Sequence, residues 1–219
     1  MTLLFYGHPF SSYCQKVLVA LYENGTAFSW RPLGPDSPEN GAALARLWPL
    51  GRMPVLVDDG RPYMESSIII EHLAARRPGP VRLVPTDGEA ALETRLLDRV
   101  FDNYVHTPMQ RIVSEALRPE GNPDPYGVAQ AHELLEKAYG WLDERLDGRA
   151  WAAGPSFTLA DCAAAPALFY ADWVHPIPVK HARLRAYRAA LLARHSFARA
   201  VDEARPFRSL FPLGAPDRD

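Results

Sequence analysis

With 219 residues, 47% of them hydrophobic and 23% charged, the chain has the balance of a folded globular protein, enough length for one or two cores, and no mark of disorder. A net charge of −2 and a pI near 6.4 give no field that would attract nucleic acid or an anionic membrane, and residues 1–80 are themselves balanced, with 7 Lys and Arg against 7 Asp and Glu. No basic leader precedes an apolar run, and no apolar stretch nears the roughly 20 residues that span a bilayer, so a cytoplasmic protein is expected.

The first eighty residues alternate between strand and helix patterns. Residues 3–6, Leu-Leu-Phe-Tyr, read as a short strand that breaks at Gly7 and Pro9. Cys14, Val17, Leu18 and Leu21 then recur at i, i+3, i+4 and i+7, the stripe of a core-facing helix that Gly25 ends. A second strand is predicted over 27–31 and a short helix over 41–47. Asp58-Asp59-Gly60 between apolar runs is a strong hairpin signal, joining strands at 55–57 and 61–64, and a helix follows over 66–76. The order is βαβαββα, a small mixed sheet with helices on its faces.

Residues 77–88, RPGPVRLVPTDG, carry three prolines and two glycines and read as a linker. Beyond it the pattern is helical throughout, with helices predicted over 89–117, 126–146, 158–173, 181–195 and 197–204. Two domains follow, 1–78 and 89–219, the second all-α. Pro108 is expected to kink the first long helix. Thr158 and Asp161 have the spacing of a capping box, with Phe157 placed to staple against Cys162, and Asp161 is read as a folding element. Cys14 and Cys162, the two cysteines, lie far apart and suggest neither a disulfide nor a metal or redox pair, so both are expected to be buried fillers and no metal site is foreseen.

Three local features resemble one binding site when taken together. Met53-Pro54 lies just before a strand, where a cis X-Pro bond would turn the Met53 backbone outward to pair with an extended peptide; a trans strand-entry proline is the ordinary alternative. Glu65-Ser66 opens a helix whose unpaired N–H groups attract a carboxylate, with Ser66 adding a hydroxyl and Glu65 able to hold an ammonium. Alone, the same pair reads as a capping serine and a solvated glutamate. Ser11 and Ser12 open the first helix, where a thiolate would be stabilised. A ligand thiol with a pKa of about 8.5 to 9 is only a few per cent ionised at neutral pH. A hydroxyl donating to the charged sulfur supplies roughly 1.5 to 3 kcal/mol, enough to lower that pKa by about two units without a general base.

The sequence of strand, SSYC helix, RMP before a hairpin, MES opening a third helix, Pro-rich linker and TLAD in a helical half resembles the cytosolic glutathione S-transferase family, over essentially the whole chain. The resemblance implies a thioredoxin-like domain that binds glutathione as co-substrate, an all-helical domain supplying most of a pocket for a small hydrophobic electrophile, and a homodimer. It implies that Met53, beside cis-Pro54, pairs with the cysteinyl backbone, that Glu65 and Ser66 hold the γ-glutamyl end, and that Arg52 helps with a carboxylate. For the sulfur, Ser11 aligns with the attacking cysteine of thioredoxin-like proteins and is the first candidate, Ser12 the second and Tyr6 the third. Tyr13-Cys14-Gln15-Lys16 departs from the zeta type, so maleylacetoacetate isomerisation is not supported. Trp48-Pro49 departs from the usual Asn-Pro.

For the second substrate, Asp102, Asn103, His106 and Met109 recur at helical spacing, while His8, Phe10 and Tyr13 flank the serines. The helix residues are read either as a cleft wall or as a solvated face with Tyr104 and Met109 in core. Three functions remain in view: a transferase, a non-catalytic module that binds glutathione or hydrophobic ligands, and, least favoured, thiol–disulfide exchange through Cys14.

Overall fold

The structure is a computed structural model that describes residues 3–219. β1 (Leu3–Gly7), α1 (Ser12–Glu23), β2 (Ser29–Pro32), α2 (Pro38–Leu47), β3 (Val55–Asp58), β4 (Arg61–Met64) and α3 (Ser66–Arg76) follow the predicted order. The sheet runs β2-β1-β3-β4, with β1 parallel to β2 and antiparallel to β3. The β3–β4 hairpin turns through Asp59 and Gly60, both at positive φ, as the Asp-Gly signal requires.

Strand alternation divides the core. Leu3, Phe5 and Leu56 face α1, α3 and the helical half in one continuous apolar cluster, while Tyr6, Val55 and Val57 face the other way and pack with Leu44 of α2. The helix α2 begins at Pro38, earlier than the predicted 41, because Pro38 occupies its first position and Glu39 its first turn.

The helical half contains α4 (Gly88–Val100), a π-helical turn (Phe101–His106), α5 (Thr107–Glu115), α6 (Pro125–Arg145), α7 (Leu159–Val174), α8 (Ala182–Ala193) and α9 (His195–Ala204), followed by a 3₁₀ turn, Arg205–Leu210. The single helix expected over 89–117 is thus interrupted. The interruption is not a kink centred on Pro108 but a π turn ahead of it. The Thr107 N–H and hydroxyl both reach the Asp102 carbonyl, and Pro108, which has no N–H, falls in the first turn of α5, where none is needed. The 3₁₀ turn and the tail after it have no periodic signal and were not foreseen.

Residues 77–88 carry no helix or strand before α4 at Gly88, yet they are pinned. Val81 exchanges hydrogen bonds with the Asn24 side chain at 2.8 and 3.1 Å, Leu83 is buried, and its carbonyl accepts from Leu159 N–H at 2.8 Å. Asp161 is fully buried and accepts from the N–H groups of Thr158 (2.7 Å) and Ala152 (2.8 Å) and from the hydroxyls of Thr158 and Tyr187. It fixes the start of α7, as the capping-box reading expects.

The helix α1 is the centre of the molecule, with nine of its 12 residues buried because α3, α7 and α9 all pack on it. Two of those residues are charged, Glu23, which is paired with Arg194, and Lys16. Lys16, 1% exposed, places its Nζ 2.6 Å from Asp98, 2.7 Å from Asp102 and 2.9 Å from the Ser67 hydroxyl, and Arg99 closes the cluster against both carboxylates. Removing one partner of a buried ion pair strands the others. Lys16→Met is therefore expected to cost about 3 kcal/mol in urea unfolding; a loss below about 1 kcal/mol would show that Arg99 alone satisfies the two aspartates.

Candidate active site

A cleft of about 830 Å³ opens where the N-termini of α1 and α3 face the α4–α5 arm. Ser11 and Ser12 lie on it, as do Arg52, Met53 and Pro54 and, at the start of α3, Glu65 and Ser66. Phe10, Tyr13, Asp102, Asn103, His106 and Met109 border it as well. The structure therefore brings together residues that the sequence distributes over about half of the chain.

Ser11 is the N-cap of α1, with φ −80° and ψ 122°, and its Oγ accepts from Cys14 N–H at 3.4 Å. That bond uses a lone pair, and the hydroxyl, which also bonds the Cys14 thiol, borders the cleft. Ser12, one residue on, has its Oγ 2.5 Å from His106 Nε2. Cys14 is fully buried, and burial raises its thiol to about 11, which makes it a poor thiolate at neutral pH. Gly7 leaves the room it needs: a Cβ there would stand 2.8 Å from Cys14 Sγ.

Across the cleft, the Met53-Pro54 bond is cis, and Met53 is 38% exposed. Glu65 is held at φ +66°, a conformation uncommon for a residue with a side chain and one that clusters at binding sites. It places Ser66 at the first position of α3, buried, with the unpaired N–H groups of that turn beside it.

The arm supplies mixed chemistry. Asp102 borders the cleft, but its carboxylate is held by Lys16 and Arg99, and burial pushes its pKa up. Asn103 is exposed and Met109 is buried, but Tyr104, expected in core beside Met109 on the second reading, is exposed, because the π turn sets it on the outer side of the arm with Asn103. His106 ends the π turn, 5% exposed, its ring 4.2 Å from that of Tyr13. Burial, reinforced by the Lys16 charge, drives its pKa down to about 4, so the imidazole is neutral at physiological pH.

Two candidates lie elsewhere. The Tyr6 side chain is packed on the α2 face of the sheet with Leu44 and Val55, because strand alternation turns it away from α1. His8 accepts from Phe10 N–H through Nδ1 and packs edge-on against Phe207, off the cleft wall. Trp48, the departure from the family pattern, borders the cleft and packs against the Tyr6 cluster.

Sequence reasoning missed the supports. The Tyr170 hydroxyl of α7 donates to the Phe10 carbonyl at 3.1 Å and accepts from Gln15 Nε2 at 3.0 Å, while that same Nε2 also donates to the Pro9 carbonyl. The loop before the serines is thereby braced by a helix some 160 residues away. Arg99, Leu210 and Phe211 also border the cleft. No local pattern marks these residues; the one available signal was Gln15-Lys16, a polar pair set between Cys14 and the apolar run at 17–21.

The N-terminal domain model of glutathione S-transferases matches residues 5–81, and the C-terminal domain model matches residues 125–190. The chain is 30% identical to glutathione S-transferase 3 of Zea mays over 91% of this chain and 93% of that one. It is 28% identical to a stringent starvation protein A homolog of Coxiella burnetii over 93% and 92%. Among solved structures, a glutathione S-transferase of Methylobacillus flagellatus with glutathione bound superimposes with a TM-score of 0.78 at 27% identity, covering 91% of this chain and 98% of that one.

A histidine held neutral ties stability to pH. Its folded pKa lies below the unfolded value of 6.5, so the unfolded chain takes up the proton first, and the His106 contribution is lost as pH falls from about 6.5 toward 4. The shift corresponds to about 3 kcal/mol. His106→Gln, which cannot titrate, should show a loss of unfolding free energy between pH 7 and 4 smaller by about that amount in urea titrations. Equal losses in the two proteins would place the His106 pKa near its ordinary value.

Proposed function

The chain belongs to the glutathione S-transferase family, and we propose that it is an active transferase that binds glutathione across the N-termini of α1 and α3 and directs its thiolate at a small hydrophobic electrophile. The observation that carries this reading is the Ser11 hydroxyl. It caps α1 with a lone pair and borders the cleft, so its proton can turn from the Cys14 thiol to a bound sulfur, at a helix end that favours negative charge. Bound there, the glutathione sulfur accepts from Ser11 and ionises without a base. Met53, beside Pro54, is suited to pair with the cysteinyl backbone, Glu65 and Ser66 to take the γ-glutamyl ammonium and carboxylate, and Arg52 a carboxylate at the opposite end.

The electrophile occupies the part of the cleft bounded by Phe10, Tyr13, Met109, Tyr170 and Phe211, where the walls are apolar and aromatic. The thiolate attacks an electrophilic carbon, forming the S–C bond as a leaving group departs or a double bond shifts. In this reading residues 1–78 hold glutathione and residues 89–219 supply most of the second pocket. Exchange chemistry through Cys14 is disfavoured by its burial and raised pKa.

Pairing of two chains is part of the proposal. Ile68 of α3 and Leu92 and Leu96 of α4 are exposed around the Glu71–Arg95 ion pair (2.8 Å), and this apolar face is suited to a second copy of the chain. A binding module without turnover is the second reading; one full-length relative carries the name of a starvation protein and not of a transferase.

Ser11→Ala should lower turnover of a general aryl halide roughly 10- to 100-fold, the loss of a hydrogen bond to a charged sulfur, with glutathione affinity within about threefold. Unchanged turnover would remove Ser11 from its role, and retention on immobilised glutathione without turnover of an electrophile panel would select the module. Leu96→Glu should convert a dimer to a monomer in light scattering after gel filtration; a monomeric wild-type chain would rule out the pairing.

A further inference from the structure

Ser12 is held by the other half of the molecule. Its Oγ makes one side-chain hydrogen bond among the described residues, to His106 Nε2 at 2.5 Å. The histidine arrives there because the π turn ends on it, and the Tyr13 ring packs on the imidazole at 4.2 Å and fixes its plane. Both residues border the cleft beside Ser11.

Resting on the transferase reading above, we infer that His106 is a positioning residue: its Nε2–H donates to Ser12 Oγ and turns the Ser12 hydroxyl into the cleft as a second donor to the glutathione sulfur. A neutral imidazole carries one N–H and one lone pair, so the pair has two arrangements. In one, Ser12 gives its proton to Nε2 and presents only lone pairs to the cleft, which an anion repels. In the other, Oγ accepts from Nε2–H and its own proton faces the sulfur.

A bound thiolate selects the second arrangement. A hydroxyl that accepts from one donor while donating to an anion is polarised in the direction that strengthens both bonds. No proton is transferred to or from His106 in this role; the tautomer is chosen and held. The groups that face the imidazole are consistent with this. Lys16 on α1 disfavours a cationic ring, Asp102 within the same turn is already engaged by Lys16 and Arg99, and Tyr13 presents its ring. The two serines then divide their second tasks: Ser11 is anchored to its own helix through Cys14 N–H, and Ser12 to the π turn.

The test is the pKa of glutathione's thiol in the complex, read from thiolate ultraviolet absorbance against pH, with glutathione affinity measured in parallel. His106→Ala and Ser12→Ala should each raise that pKa by about one unit, corresponding to one lost hydrogen bond to a charged group, and leave affinity within about threefold. The double variant should be no worse than either single one, because both remove the same donor. His106→Gln, whose amide N–H reaches toward the same oxygen, should recover most of the shift. A thiol pKa unchanged in His106→Ala or Ser12→Ala, or His106→Gln no better than His106→Ala, overturns the assignment. An ordinary thiol pKa in the wild-type complex would instead overturn the transferase reading itself, and Ser11→Ala separates the cases: a shift there without one in the other variants leaves the enzyme standing and removes only His106.

Discussion

The geometry of the site depends on one buried ammonium. Lys16 lies on α1 one turn beyond Ser12, and its charge is met by Asp98 and Asp102 from the arm and by the Ser67 hydroxyl from α3. Three walls of the cleft are thus referenced to a single point. Such a cluster adds little net stability over an apolar replacement, because the desolvation of the ions offsets their attraction. What it does fix is relative placement: apolar contacts tolerate sliding of one helix on another, whereas an ion with three partners within 3 Å does not.

A second constraint works at longer range. The helix α7 is buried along most of its length, starts at the Asp161 cap and ends beyond Tyr170, whose hydroxyl holds the loop that leads to the serines. The connecting segment is anchored to both halves, through Asn24 on one side and Leu159 on the other. Because the main apolar cluster runs without a break from β1 into α7 and α8, the sheet and the helices share one core. The serines therefore stand on a rigid support even though they occupy a loop-to-helix junction, which is what orienting a hydroxyl to a few tenths of an ångström requires.

The elements legible in the sequence were those whose signals are local. The stripe from Cys14 to Leu21, the Asp-Gly turn and the Thr158–Asp161 cap each depend on residues within a few positions of one another, and each predicts the element found. The cleft residues were legible because helix ends and X-Pro bonds have their own chemistry. What stayed hidden was nonlocal or depended on the direction of a side chain. Tyr6 and Phe5 are neighbours in sequence, but one faces α2 and the other α1, and a four-residue apolar run with no polar alternation does not say which. The ion pairs of Lys16 have no local mark, because its two aspartates lie more than eighty positions away. His106 was picked out as a wall residue, but its bond to Ser12 spans 94 positions and left no trace in the spacing.

The π turn at Phe101–His106 gives this architecture an unusual kind of adjustability. A π turn amounts to one residue accommodated beyond the ordinary α-helical ladder. Loss of one residue there would restore that ladder and rotate everything after it by about 100° relative to α4. Met109 and Val113 would leave the cleft together, while Asp98, which precedes the turn, kept its bond to Lys16. In this fold the α5 lining of the cleft can therefore be exchanged as a block by a single-codon deletion or insertion, a step that substitution one position at a time does not reach.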